Sequence, residues 1–213
     1  DNLSTSLYYS KVEDYWRKYY ANVNWALPIS DKQGLVFDFN IYDTKSEGSA
    51  EYRAFDGDKL DNRAFSLSGA YNIGAHTFTL AYQKVTGDGD YGYGIDGGGT
   101  IFLANSVARS DFNAEDEKSW QARYDLNFAE YGIPGLTFMT RYVRGTDANV
   151  AGTSNGKEWE RDVDIKYVLQ SGPAKDLSFR VRQATYRSSD GVYYDSPSID
   201  ELRLIVEYPL SIL

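Results

Sequence analysis

The chain has no cysteine, one histidine, one methionine and five prolines in 213 residues. Without cysteine there is neither a disulfide scaffold nor a thiolate-bound metal. The lone histidine, His76, has no placed partners for a triad or a zinc site, so no catalytic residue, metal or cofactor is expected. Gly97-Gly98-Gly99 precedes neither Lys-Ser/Thr nor a strong helix and is no phosphate loop. A net charge of −9 argues against a nucleic-acid partner. No run of about 18 apolar residues occurs, which excludes a helical membrane protein. That exclusion does not reach barrel strands, whose apolar lipid face is diluted by alternation with polar residues.

What is abundant points to such strands. Tyrosine and glycine each supply 19 residues, as aromatic girdles and tight turns require. Apolar residues recur with period two about ten times. Leu202, Leu204, Val206, Tyr208 and Leu210 alternate with Arg203, Ile205 and Glu207. Leu177, Phe179 and Val181 alternate with Ser178, Arg180 and Arg182; Val163, Ile165, Tyr167 and Leu169 alternate with Asp162, Asp164 and Lys166. Trp120, Ala122, Tyr124 and Leu126 alternate with Gln121, Arg123 and Asp125. The same rhythm runs through 35–41, 65–73 and 78–82, and less cleanly around Leu7 and Val23. Segments of roughly ten residues suit a tilted bilayer crossing better than a soluble strand of five or six.

The links alternate as well. Long ones are expected near 45–60, 87–116, 147–157 and 188–198, and short ones at 28–31, 73–76, 131–134 and 171–174. Long extracellular loops and short periplasmic turns give this layout. The link at Lys11–Asp14 falls on the long side yet is short. The expected fold is therefore all-β: an antiparallel up-and-down transmembrane barrel forming one domain over 1–213, with the loop at 87–116 as its longest irregular segment.

Arg123, Arg141, Arg180, Arg182 and Arg203, with Lys166, occupy the polar face of adjoining strands, which in a membrane barrel lines the lumen. Strands about 4.8 Å apart would set them as a basic strip suited to passing carboxylates. The competing reading pairs them with Asp125, Asp162, Asp164 and Glu207 as bracing. Asp88, Asp90, Asp96, Asp111, Glu115, Asp116 and Glu117 crowd one loop. They form either a solvated outer face bridged to lipopolysaccharide by divalent cations or a loop folded into the pore. About ten strands make a bore nearly filled by side chains, so a transporting strip needs more strands. The start at Asp1-Asn2-Leu3, in mid-pattern, carries the same expectation.

Several long motifs carry a family resemblance: Gly97-Gly98-Gly99-Thr100-Ile101-Phe102-Leu103-Ala104-Asn105-Ser106-Val107, Ser110-Asp111-Phe112-Asn113 and Lys118-Ser119-Trp120-Gln121-Ala122-Arg123-Tyr124-Asp125-Leu126. Further on stand Pro134-Gly135-Leu136-Thr137-Phe138-Met139, Gln170-Ser171-Gly172-Pro173-Ala174-Lys175-Asp176-Leu177-Ser178-Phe179-Arg180 and the ending Tyr208-Pro209-Leu210-Ser211-Ile212-Leu213. Across nearly its whole length the chain resembles the OprD-type porins of pseudomonads, the outer-membrane carboxylate channels. The resemblance implies an 18-stranded monomeric barrel in the bacterial outer membrane, of which this chain would supply the last ten strands. It implies an arginine-rich ladder, matched by Arg180, Arg182, Arg203 and Lys166, and an inward loop whose constriction residues match Ser106 and Asp111. Where the family's basic-amino-acid channel has tyrosine, this chain has Arg109. That cation would disfavour arginine-like solutes and suit small carboxylates, including aromatic and cyclic ones.

The expected function is passive uptake of small carboxylate-bearing nutrients, with outer-membrane lipid and lipopolysaccharide as surroundings and no enzymatic activity. The alternatives are an outer-membrane barrel enzyme and a soluble ligand-binding β-barrel.

Overall fold

The computed structural model describes residues 2–49, 59–92, 101–150, 153–189, 192 and 198–210. Asp96, Gly97-Gly98-Gly99-Thr100, Ser211-Ile212-Leu213 and parts of the links at 45–60, 87–116, 147–157 and 188–198 lie outside the described residues.

Ten strands follow one another: β1 (Leu3–Val12), β2 (Trp16–Ser30), β3 (Gln33–Ser46), β4 (Asp61–Ile73), β5 (His76–Asp88), β6 (Lys118–Asn127), β7 (Leu136–Val150), β8 (Thr153–Val168), β9 (Ser178–Ser188) and β10 (Ser198–Glu207). They form one sheet in sequence order, each neighbour antiparallel to the last. Among the described residues β1 pairs only with β2 and β10 only with β9, so the sheet is an open wall rather than a closed ten-stranded barrel. Lengths of 10 to 16 residues exceed the soluble norm and match bilayer-crossing strands.

Burial is inverted relative to a water-soluble fold. The outward face exposes large apolar side chains such as Leu7 (82%) and Leu204 (74%), with Leu80, Phe179, Val206 and Leu210. The inner face buries Asn40, Gln83, Gln121, Glu158, Glu160 and Asp162. In water that outer face would lose its hydrophobic stabilisation of about 25 cal/mol per Å². In lipid it is the favourable arrangement, and the period-two sequence places every second residue on it.

Turn chemistry fixes the short ends. β4 and β5 join through Gly74-Ala75, with Ile73 opposite His76. Gly74 has φ of +54°, the positive angle a type II′ hairpin needs at its first central position. The β2–β3 turn closes around Asp31 and Lys32, and Pro28 stands beside a register shift, where a missing N–H is tolerated. The two remaining turns at this end are longer than expected. A 3-10 turn, Phe128–Tyr131, fills the β6–β7 link and is N-capped by Asn127, while 169–177 joins β8 to β9.

One expected loop is absent. The link placed at 147–157 is mostly strand: β7 continues to Val150 and β8 begins at Thr153. Two register shifts absorb the polar, turn-like residues, and Asp147 takes φ of +64° there. A bulge accommodates an extra residue without ending a strand.

Candidate functional site

The described part of the long link between β5 and β6 folds onto the inner face. It is hydrogen-bonded to the wall strand by strand. Tyr42 Oη of β3 accepts from Phe102 N (3.1 Å), and Ser66 Oγ of β4 accepts from Ala104 N (3.0 Å). Gln83 of β5 accepts from Asn105 N (2.9 Å) and donates to the carbonyls of Asp111 and Phe112 (2.8 Å each). On β6, Ser119 accepts from Asn105 Nδ2 (2.8 Å) and Gln121 donates to Ala104 O (2.8 Å). Glu160 of β8 receives two successive backbone N–H groups, from Arg109 and Ser110, at 2.9 Å each. Glu158 accepts from Ser110 Oγ at 2.9 Å and from the Tyr186 hydroxyl. Arg109 Nη1 reaches Glu201 of β10 at 3.1 Å.

An apolar nucleus completes the attachment. Tyr20, Tyr42, Ala64 and Val85 of the wall pack with Tyr91 and Leu103 of the loop. Ring centroids lie 4.5 Å apart for Tyr20–Tyr42 and 4.7 Å for Tyr42–Tyr91. Lys18 Nζ donates to Gly92 O (2.8 Å) and sits over the rings of Trp16 and Tyr91. At the loop's far end Glu117 is fully buried against Glu158. Burial, and then the Glu158 charge, pushes the Glu117 carboxyl well above the ordinary glutamate range. Among the described residues Glu117 Oε1 has no hydrogen-bond partner.

Of the three expected constriction residues, Ser106 donates through Oγ to Asp111 Oδ1 and Arg109 is tied to β8 and β10. The acidic loop residues divide: Asp90 and Glu115 bind backbone N–H groups at the loop's base, whereas Glu117 turns into the interior.

Below the loop lie the basic residues. In register across the wall, Arg123 stands opposite Arg141, and Arg141 opposite Asp162. One row further on, Asp164, Arg182 and Arg203 are neighbours, and Lys166 faces Arg180. Each cation meets a carboxylate. Arg123 grips Asp125 bidentately (2.7 Å twice), and Arg141 Nε holds Asp162 (2.6 Å). Arg180 and Arg182 share Asp164 (2.7 and 3.1 Å), Arg203 shares Glu201 with Arg109, and Lys166 lies 3.8 Å from Glu207. The hydrogen bonds of Arg141, Arg180 and Arg182 to these carboxylates are made through Nε. A recess of ≈ 380 Å³ is lined by Arg123, Asp125, Asp164, Lys166 and Arg180. A second, ≈ 420 Å³, shares Arg123 and Asp125 and extends to Asp38 and Gln121 beneath the loop.

The model of the outer membrane porin family OprD matches residues 1–212. The chain belongs to the OprD family. It is 53% identical to Porin D of Pseudomonas aeruginosa across its whole length, covering 51% of that protein. It is 34% identical to the porin-like protein GalP of Pseudomonas putida, covering 47% of it. The chain thus spans about half the length of the curated relatives it matches. The crystal structure of Pseudomonas aeruginosa OprD superposes with a TM-score of 0.88 at 51% identity, over 100% of this chain and 58% of that one. These neighbours are 18-stranded barrels, and the named relatives are porins, not enzymes. An OprD-family chain is an outer-membrane, multi-pass β-barrel protein, which removes the soluble alternative.

Sequence reasoning missed part of the OprD-family site. Asp38 on β3 gathers three amides, from Asn22 and Asn24 (3.0 Å each) and Asn40, and makes that part of the wall acidic and amide-rich. Glu158 and Glu160, which hold the loop, were also unassigned. Their signal was visible: Glu158, Glu160, Asp162 and Asp164 repeat with period two on the inward register. His76 is hydrogen-bonded to Tyr124 (2.8 Å) and Tyr131 (3.1 Å) among aromatic rings at the short-turn end, a structural setting. Among the described residues no cluster of potential metal ligands occurs.

Proposed function

We propose that this chain forms the selective wall of a monomeric outer-membrane channel for passive uptake of small carboxylate-bearing solutes, aromatic or cyclic ones in preference to basic amino acids. The observation that carries the reading is the way the arginines are braced. Asp164 is shared by Arg180 and Arg182, so that group keeps an excess positive charge. Bracing through Nε leaves the fork ends of Arg141, Arg180 and Arg182 for a carboxylate, whose two oxygens match a guanidinium. Bracing and transport are then one device: the acids orient the guanidiniums, and a passing anion exchanges from one to the next. Arg109, beside Ser106 and Asp111, adds a cation where the loop narrows the path and opposes arginine-like solutes.

Single-channel recording of the intact protein in planar bilayers tests this. Arg180→Glu with Arg182→Glu is expected to reverse the anion preference and to abolish block by a small aromatic carboxylate. Unchanged reversal potentials and unchanged block would refute the ladder's role.

A further inference from the structure

The outward, lipid-side face carries a second basic arrangement, unrelated to the pore. Across β6, β7, β8 and β9 one lateral row alternates ring and cation: Trp120, Arg144, Trp159 and Arg187 stand opposite one another in register. The adjoining row toward the short-turn end sets Tyr142 opposite Arg161. The row toward the long-loop end sets Lys118 beside Thr146 and Lys157, with Lys84 of β5 directly opposite Lys118. Trp120, Tyr142 and Trp159 form one aromatic run, with centroids 5.6 and 5.8 Å apart.

Two of these cations are neutralised: Lys118 by Asp147 and Arg187 by Asp200, each at 2.8 Å. Lys84, Arg144, Lys157 and Arg161 meet no carboxylate at ion-pair distance among the described residues, and Arg161 reaches only Gln183 Oε1, at 3.5 Å. Arg144, Lys157 and Arg161 are exposed. On the far side of the same rim Lys11, Lys45 and Arg63 are paired with Glu47, Asp61 and Asp43, while Arg17, in register between Lys11 and Lys45, meets no carboxylate at ion-pair distance among the described residues. Lys84 and Lys118 stand opposite each other as like charges, and the Asp147 carboxylate paired with Lys118 also acts on Lys84 and Lys157, which leaves the cluster with more positive than negative charge.

Height identifies the anion. On the same strands, below the patch, the outward residues include Phe138, Val163, Ile165, Tyr167, Phe179 and Val181, a largely apolar band in which Thr140 and Gln183 are polar. The patch therefore stands at the band's outer margin, on the long-loop side, where headgroups of the outer leaflet lie and where aromatic girdles form. We infer that this face is a binding site for lipopolysaccharide. The glycolipid's phosphates sit among Lys84, Arg144, Lys157 and Arg161, its sugars lie on Trp120 and Trp159, and its acyl chains run down the band. The acidic outer loops need no divalent bridge for this contact, because the protein supplies the cations.

The test uses intact protein stripped of co-purified glycolipid in detergent and titrated with purified lipopolysaccharide by surface plasmon resonance. At the usual contribution of a cation near an anionic surface, Arg144→Gln/Lys157→Gln/Arg161→Gln weakens binding about 100-fold, and Lys45→Gln/Arg63→Gln leaves it unchanged. Retained heat-modifiable gel migration and unaltered conductance show that the triple variant is folded. Wild-type affinity in the triple variant overturns the site. Equal binding of dephosphorylated lipopolysaccharide overturns the role of the phosphates, and equal binding of phosphatidylglycerol micelles overturns the assignment to the glycolipid.

Discussion

The loop's hold on the wall can be challenged at one atom. Gly145 lies within β7, on the inner face, between Ser119 of β6 and Glu158 of β8. A Cβ there would come 1.9 Å from Glu117 Oε1 and 2.9 Å from Phe112 Cδ1, the first well inside any real contact. No positive φ is involved at Gly145, so alanine suits the backbone and acts only through space. Glu117 and Phe112 are both fully buried, so one of the two side chains must shift to admit the methyl group. Overpacking of this kind costs about 1–3 kcal/mol, which shifts the docked-to-undocked ratio of the loop about 5- to 150-fold. Gly145→Ala is therefore expected to raise open-channel noise and to add excursions to higher conductance in planar-bilayer recordings. Gly92→Ala, whose Cβ meets nothing within 4 Å, is the matched control and should behave as wild type. If Gly145→Ala gives wild-type conductance and noise while Gly92→Ala does the same, the loop does not hold the pore in the way the packing requires.

Two further outcomes follow from the same wall. Because the docked Glu117 carboxyl is raised above its ordinary value near 4.5, its contribution to docking is full below that pH and is lost as pH rises through the raised value. Loop noise should therefore increase on the alkaline side, and Glu117→Gln should flatten the dependence; noise that falls with rising pH would reverse the assigned sign. His76→Phe removes hydrogen bonds to Tyr124 and Tyr131, each contributing about 0.5–1.5 kcal/mol, and should lower the unfolding temperature seen by heat-modifiable gel migration while leaving uptake intact. Uptake lost at an unchanged unfolding temperature would return His76 to a chemical role.

Strand positions and faces were legible because lipid and lumen impose opposite demands on successive residues. From Trp120 to Leu126 the alternation alone tells which side chains face outward. The ion pairs of Arg123, Arg141 and Lys166 were legible for the same reason, since their partners lie on the same face within reach. The region 147–157 was misread because Asp147, Asn149 and Gly156 carry loop-like composition. Bulges let β7 and β8 keep those residues, and a bulge leaves no periodic mark. The loop's docking was illegible in detail. Glu160 is held by the backbone of Arg109 and Ser110, about fifty positions away, and main-chain donors have no residue signature. The need for glycine at 145 likewise arises from a contact between distant segments, not from local conformation.

The tethers from the loop to β3, β4, β5, β6, β8 and β10 also bear on mechanics. A thin-walled cylinder resists bending along its strands but ovalises easily when squeezed from the side. Here one segment of chain works as a set of spokes between distant parts of the rim, each about 3 Å long. Flattening the cross-section by an ångström would stretch several of them together, at about 0.5–1.5 kcal/mol apiece. The docked loop therefore ties six strands of the wall together, and a lateral load on any one of them is shared among the spokes.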